Sequence, residues 1–387
     1  MHQYRSLILA GMGSLLLLLA GLPACAPEPE EAPEDNGQAL GDFLAGEEAA
    51  EGFERVTGPR PMHFPEDHGP HPGYRHEWWY VTGNLETEEG RHFGFQVTFF
   101  RFNLDPDPPD RDSAWATNQS WMAHLALTDT EGGKFHHAER FGRGAVGIAG
   151  ARASPFSVWL EDWSLQSTGE GTWPARLRAD AGDFAVDLYL DPERPHVLQG
   201  DAGYSRKGPG EGNASHYYSY TRIGAEGRVR AGEDEHSVTG LAWMDREWGS
   251  SALAEDQQGW DWFALQLSDG SDLMFYRIRD ADGDMDPHSK GVLVESDGRR
   301  TLLEADEVEL EVLSHWRSPE TGLRYPVAWR LLIPERDTEL VVEPRLEGQE
   351  ITGAFRYWEG AVFGEGRHEG EAVRLRGYLE LSGYDSS

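Results

Sequence analysis

From about residue 60 onward, large apolar residues recur at every second position, the period of a strand with one buried face. Phe93, Phe95, Val97 and Phe99 alternate with Gly94, Gln96 and Thr98. Trp121, Ala123, Leu125 and Leu127 repeat the pattern, as do Phe184, Val186, Leu188 and Leu190. Apolar runs over 263–267 and 273–276 flank Ser268-Asp269-Gly270-Ser271, whose Asp-Gly supplies the positive φ of a tight hairpin turn. Later strands are predicted over 327–333, stopping at Pro334, and over 354–362 and 373–384. Helical periodicity is nearly absent, and turn residues return about every ten positions, which predicts an all-β sandwich or barrel. Residues 250–259 carry no strand pattern and mark a boundary. Since 387 residues exceed the usual single domain of roughly 100–200, the expected division is two domains, 63–250 and 251–387.

The first 62 residues read differently. Arg5 followed by an apolar run over 7–22 is a secretion leader, expected over 1–24 and too short for the roughly 18 apolar residues of a spanning helix. The run ends at Leu22-Pro23-Ala24-Cys25, similar to a bacterial lipoprotein box, with Cys25 as the lipidated residue. A lone cysteine forms no internal disulfide, so its place at a cleavage site points to lipid attachment. Residues 25–62, rich in Glu, Pro, Ala and Gly, have too little apolar surface to fold and are expected to be a flexible acidic tether. Ala26 after the cysteine favours the outer membrane by resemblance to such lipoproteins. The expected location is the envelope, facing the periplasm, or outside the cell.

Formal charge is −34, and Lys134, Lys207 and Lys290 are the only lysines among 34 basic residues. Phosphate backbones need clustered positive charge, so nucleic acid is excluded as a partner. A salty exterior would screen such self-repulsion; arginine-for-lysine bias would equally follow from genome composition.

Two segments carry the candidate chemistry, His76-Glu77-Trp78-Trp79-Tyr80 and Trp243-Met244-Asp245-Arg246-Glu247-Trp248, each setting carboxylates among aromatic rings on a strand. Tyrosine stands where a zinc protease of the His-Glu-x-x-His type has its second histidine, and the residues favour strand over the helix that motif needs. No metal is expected. Alternation puts Asp245 and Glu247 on one face, roughly 6.5–7 Å apart. In an apolar cavity their mutual repulsion would raise one pKa, leaving a protonated acid beside an ionised base. The same carboxyls would equally serve as ion-pair partners of Arg222 or Arg277 in a barrel wall. Tyr217, Tyr218, Tyr220, Trp260 and Trp262 suit a pocket for an apolar ligand or a developing cation, and suit a plain core as well. His124 is a candidate proton carrier near neutral pH. The expected ligand-contacting set is Trp78, Tyr80, His124, Tyr217, Tyr220, Trp243, Trp248 and Trp260. Neither a Gly-x-Ser-x-Gly elbow nor a phosphate loop is present.

Tyr74 to Tyr80, Ala214 to Arg222, Trp243 to Trp248 and Arg376 to Tyr384 together resemble the family of acyclic carotenoid hydratases (hydroxyneurosporene synthase), kievitone hydratase and AttH-like secreted proteins, from about Phe64 to Tyr384. The resemblance implies two tandem lipocalin-like β-barrels. For the hydratase members it also implies water addition to an isoprenoid-type double bond without metal or organic cofactor. Asp245 would be the acid, with Glu247, Glu77 or His76 orienting it or serving the water. Arg246 stands where family members often carry histidine. Three readings remain open: a hydratase or hydrolase-like enzyme acting on a lipophilic molecule, a non-catalytic carrier of such a molecule tied to an envelope export permease, and a structural envelope protein.

Overall fold

The computed structural model describes residues 38–39, 50–251, 253–254 and 256–384. The leader, Cys25 and most of the tether lie outside the described residues. The strands are β1 (Gln38–Ala39), β2 (His76–Glu86), β3 (His92–Asn103), β4 (Gln119–Asp129), β5 (Lys134–Arg143) and β6 (Ala149–Ala153). There follow β7 (Phe156–Leu160), β8 (Trp163–Ser167), β9 (Ala175–Asp180), β10 (Phe184–Pro192), β11 (Val197–Leu198), β12 (Tyr204–Arg206), β13 (Ala214–Ala231) and β14 (Asp234–Gly249). The second half comprises β15 (Gln257–Leu267), β16 (Asp272–Asp280), β17 (Lys290–Val294), β18 (Arg300–Glu304) and β19 (Glu309–Arg317). It ends with β20 (Arg324–Ile333), β21 (Thr338–Pro344), β22 (Glu350–Thr352), β23 (Phe355–His368) and β24 (Glu371–Ser382). The fold is all-β, as the period-two pattern predicts. The β15–β16 hairpin turns on 268–271, with Gly270 at φ +93°.

Both sheets are wound alike. The first runs β5-β4-β3-β2-β14-β13-β10-β9-β8-β7-β6 and the second β18-β17-β16-β15-β24-β23-β21-β20-β19. In each, the two ends of the path are neighbours in the chain: residues 144–148 join β5 to β6, and 305–308 join β18 to β19. Laid flat at about 4.8 Å per strand, even nine strands would separate those edges by about 38 Å. A link of four or five residues spans at most about 20 Å. Each sheet therefore has to roll up, and the chain forms two tandem barrels.

The first barrel is filled by Trp79, Val81, Phe93, Phe95, Val97, Phe99, Trp121, Leu125 and their neighbours, the second by Phe263, Leu265, Phe275, Trp329, Trp358 and Leu379 among others. What the alternation alone does not foretell is that the opposite faces of several strands are buried too. All twelve residues of β3 are buried. Its outward residues Phe100 and Phe102, with Met122 of β4, join Phe355 of the second barrel in a separate cluster, and Tyr80, Tyr217 and Trp243 pack with Trp262, Met274, Tyr276 and Tyr378 in another. Polar links stitch the junction. Asn84 Nδ2 donates to the Gly377 carbonyl at 2.9 Å, Thr128 Oγ1 to Gln349 Oε1 at 2.6 Å, and Arg222 and Arg194 pair with the buried Asp272.

The tether expected over 25–62 does not extend so far. Val56 is fully buried, Glu54 donates its amide to the Gly73 carbonyl, and Met62 and Phe64 pack on the first barrel's core. Earlier still, β1 pairs in parallel with β23.

Inside the end of the first barrel, Glu77 is fully buried and held by the guanidinium groups of Arg101 and Arg246. These two charges hold its carboxyl well below the usual carboxylate range, against burial, which acts in the other direction. Removing the anion would strand two buried cations. Glu77→Ala is therefore expected to cost about 3–5 kcal/mol, read as a lower midpoint in urea unfolding; a loss under about 1 kcal/mol would contradict the clamp.

Candidate functional site

The chemistry converges on the junction between the barrels. Strand register there lays two matching rows of side chains. In the first barrel Phe100 (β3), Trp78 (β2), Glu247 (β14) and Tyr217 (β13) are successive cross-strand partners. In the second, Tyr276 (β16), Trp262 (β15), Glu380 (β24) and Glu359 (β23) occupy the same relative places. One residue along, on the inward faces, Glu77 opposes Arg101 and Asp261 opposes Arg277. The two barrels thus carry equivalent walls, and those walls enclose a common cavity.

The free space of the cavity amounts to about 80 Å³. Trp78, Tyr80, Phe100, Tyr217, Trp260, Trp262, Tyr276, Ile278 and Tyr357 make it largely apolar; Asp245, Glu247, Lys207 and Glu380 are its charged or titratable members.

Asp245 is 3% exposed and accepts hydrogen bonds from Ser219 Oγ (2.5 Å), Tyr217 OH (2.5 Å) and Trp243 Nε1 (2.6 Å). Burial, helped by the charge of Glu247, pushes its carboxyl up to about 7, against the three hydrogen bonds, which favour the ionised form. Glu247 is differently placed: Oε1 receives the Lys207 ammonium at 2.6 Å and the Ser215 hydroxyl. Lys207 also lies 4.8 Å from the centre of the Tyr276 ring. Across the cavity, Glu380 accepts from Trp260 Nε1 at 2.7 Å, and burial pushes it up to about 7. Behind it, Glu359 is fully buried and takes a 2.6 Å hydrogen bond from Tyr80 OH.

Of the residues expected from sequence, Asp245, Glu247, Trp78, Tyr80, Tyr217 and Trp260 line the cavity, and Trp243 supports Asp245 from its edge. The others do not. Glu77 lies on the opposite face of β2, inside the first barrel, clamped by two arginines. Trp248 and Tyr220 belong to that barrel's core, where Trp248 stacks on His71 at 3.9 Å and Tyr220 packs edge-on to Trp173. His76 sits behind Trp78, stacked at 5.7 Å, and burial pushes it down to about 3. His124 reaches the cavity only through Tyr357, whose OH lies 2.6 Å from its Nδ1. It too is pushed down to about 3 by burial, which favours the neutral ring near pH 7. Arg222 and Arg277 pair with Asp272 and Asp261, and no guanidinium among the described residues pairs with Asp245. Arg246 turns inward, 3.9 Å over the Trp79 ring.

Sequence reasoning offered Trp262 as a pocket ring but missed Lys207, Tyr276, Glu359 and Glu380. A signal existed: Glu77-Trp78-Trp79 and Phe99-Phe100-Arg101 are echoed by Asp261-Trp262-Phe263 and Phe275-Tyr276-Arg277. Among the described residues no group of three or more His, Cys, Asp or Glu side chains is arranged to hold a metal ion.

A family model described as AttH-like matches residues 55–384. The chain belongs to the AttH-like family. This AttH-like protein is 38% identical to a protein designated AttH from Nitrosomonas europaea whose crystal structure superposes with a TM-score of 0.76, covering 86% of this chain and 100% of that one. Kievitone hydratase from Nectria haematococca shares the fold, with a TM-score of 0.66 at 16% identity over 86% of this chain and 98% of that one. The dehydratase asqC of Emericella nidulans is 24% identical over 218 residues; the match covers 53% of this AttH-like chain and 60% of that protein's length.

The elevated Asp245 carboxyl has a consequence for stability. Unfolded, it releases its proton near 3.8; folded, it holds it to about 7, so between these values the native state binds more proton. Its contribution to stability is complete below the unfolded value and is lost as pH rises through the folded one. Asp245→Asn, which never ionises, is expected to gain on the parent protein between pH 5 and 8. At about 1.4 kcal/mol per pH unit, and with the difference closing near pH 7, the ceiling over that window is about 3 kcal/mol. Urea midpoints at the two pH values check this; a gap that does not widen with pH contradicts it.

Proposed function

We propose that this protein adds water to, or removes it from, a lipophilic molecule bound in the junction cavity, with Asp245 as the general acid. The observation that carries the reading is a carboxyl buried among aromatic rings with no cationic partner among the described residues; burial raises it toward neutrality, where an acid is both protonated enough to give and strong enough to be useful. In the hydration direction the π electrons of an alkene take the Asp245 proton. The resulting carbocation lies among the rings of Trp78, Trp260 and Trp262, which line the cavity and whose quadrupoles favour positive charge. Water then closes the C–O bond and gives up a proton to a base. Dehydration is the same path reversed. The names of two relatives, a hydratase sharing the fold and a dehydratase matched over part of its length, support this class of reaction.

Asp245→Asn keeps the shape and the hydroxyl neighbours but carries no transferable acid proton. It is expected to lower turnover by about 100- to 10,000-fold while retaining a lipophilic ligand within a few-fold of the original affinity. A carrier would lose neither property, so an unchanged rate on a molecule the parent protein converts would overturn the reading.

We also propose that the chain is lipid-anchored through Cys25. Feeding cells an alkyne fatty acid should label the protein, and Cys25→Ser should abolish both the label and its membrane fractionation; a labelled serine variant would refute the anchor.

A further inference from the structure

The hydration–dehydration reading leaves one role unfilled, that of the group that takes the proton from water. The candidates suggested by sequence do not fill it. Glu77 is outside the cavity, and His76 lies behind Trp78. Glu247 has one oxygen occupied by both the Lys207 ammonium and the Ser215 hydroxyl. Glu380 remains. It lines the cavity from the second barrel, so its carboxylate looks across at the wall that carries Asp245. Its one hydrogen-bond donor from the cavity wall, Trp260 Nε1, fixes Oε1 at 2.7 Å.

Behind Glu380 stands a second acid. Glu359 is its direct cross-strand partner, and no arginine, lysine or histidine pairs with either carboxyl among the described residues. Oε1 of Glu359 takes the Tyr80 hydroxyl, while Oε2 is buried with no donor aimed at it. An ionised Glu359 would strand that oxygen; a protonated one turns it into a donor, and the carboxyl within reach is Glu380.

We propose that Glu380 is the general base of this site, accepting the proton of the attacking water, and that Glu359 is the neutral positioning residue that hydrogen-bonds to its carboxylate. In hydration the O–H bond of Asp245 breaks as the new C–H bond forms. The water oxygen then forms the C–O bond and its surplus proton passes to Glu380, so one proton leaves Asp245 and one arrives on Glu380. Exchange with solvent resets both. In dehydration Glu380 gives its proton to the departing hydroxyl and Asp245 takes one from carbon.

The protonation preferences agree. Burial and the neighbouring Glu380 charge hold Glu359 well above the usual carboxylate range. Burial raises Glu380 to about 7, opposed first by the hydrogen bond from Trp260 and then by the one from Glu359, both of which stabilise its charge. The other charged groups bearing on the pair are Glu247 and Lys207 on Glu380, and Asp245 on Glu359. The equivalent of Glu359 in the first barrel is Tyr217, which does for Asp245 what Glu359 does for Glu380.

The test uses the full chain with geranylacetone, a trisubstituted isoprenoid alkene, in heavy-oxygen water, reading label incorporation by mass spectrometry. Glu380→Gln should lower kcat at least about 100-fold, move KM only a few-fold, and remove the acid limb of the pH profile of kcat/KM. Glu380→Asp should keep that limb at a reduced rate, which separates lost chemistry from lost folding. Glu359→Leu should move the limb to higher pH, since the donor that stabilises the Glu380 charge is gone, and Glu359→Gln, still a donor, should return it. If Glu380→Gln keeps its rate and its acid limb while Asp245→Asn is dead, the base is elsewhere and the acid assignment stands. If Asp245→Asn also keeps its rate, the underlying reading fails with it. A Glu359→Leu profile superposable on that of the parent protein overturns the positioning role.

Discussion

Everything in this molecule depends on strands that are buried on both faces. A barrel wall normally turns one face to water, but β2, β3, β13 and β14 turn theirs to a second barrel. The junction is closed by Phe100, Phe102, Tyr80, Trp243, Trp262 and Tyr276. Where two curved walls meet, side chains fill the contact except along the line where the equivalent rows of the two barrels face each other. The cavity lies on that line. The shelter of Asp245 from solvent is a property of the interface, and neither barrel alone would hold a carboxyl away from water at this place.

That shelter sorts acids by the company they keep. Glu77 and Asp261, one residue along the strand from the cavity, each meet two arginines and serve as ionic plugs inside the barrel ends. Asp245 and Glu380, on the outward faces, meet hydroxyls and indole N–H groups and, among the described residues, no guanidinium. The partners make the difference: two guanidinium groups hold the Glu77 carboxyl well below the usual range, while burial without such a partner raises Asp245 and Glu380 to about 7. One turn of strand alternation separates structural carboxylates from reactive ones.

The period-two pattern made the architecture legible, down to the β15–β16 hairpin and its Asp-Gly turn, because alternation reports one buried face directly. It also placed Asp245 and Glu247 together on one face. It does not say which of two buried faces looks inward, and this is why the Tyr217-Tyr218-Ser219-Tyr220 string misled. Tyr217 and Ser219 reach Asp245, while Tyr218 and Tyr220 sit in the first barrel's core, and the register slips between Tyr220 and Ile223. Glu380 was out of reach for another reason. It enters the site because β24 closes the second barrel against β15 and the two barrels then dock, both long-range events that leave no local trace in the Gly377-Tyr378-Leu379-Glu380-Leu381 run. The echo between Glu77-Trp78-Trp79 and Asp261-Trp262-Phe263 was the available clue, since a repeated wall motif in tandem barrels implies two walls facing one site.

The central claim is that the buried Asp245 carboxyl keeps its proton to about neutral pH. Infrared difference spectroscopy of the whole chain against Asp245→Asn measures this directly, through the carbonyl stretch that only a protonated carboxyl shows. The account expects that band at pH 6 and its loss with a midpoint near 7. A difference spectrum with only carboxylate bands at pH 6, and a midpoint below about 5 as for an ordinary aspartate, would contradict it.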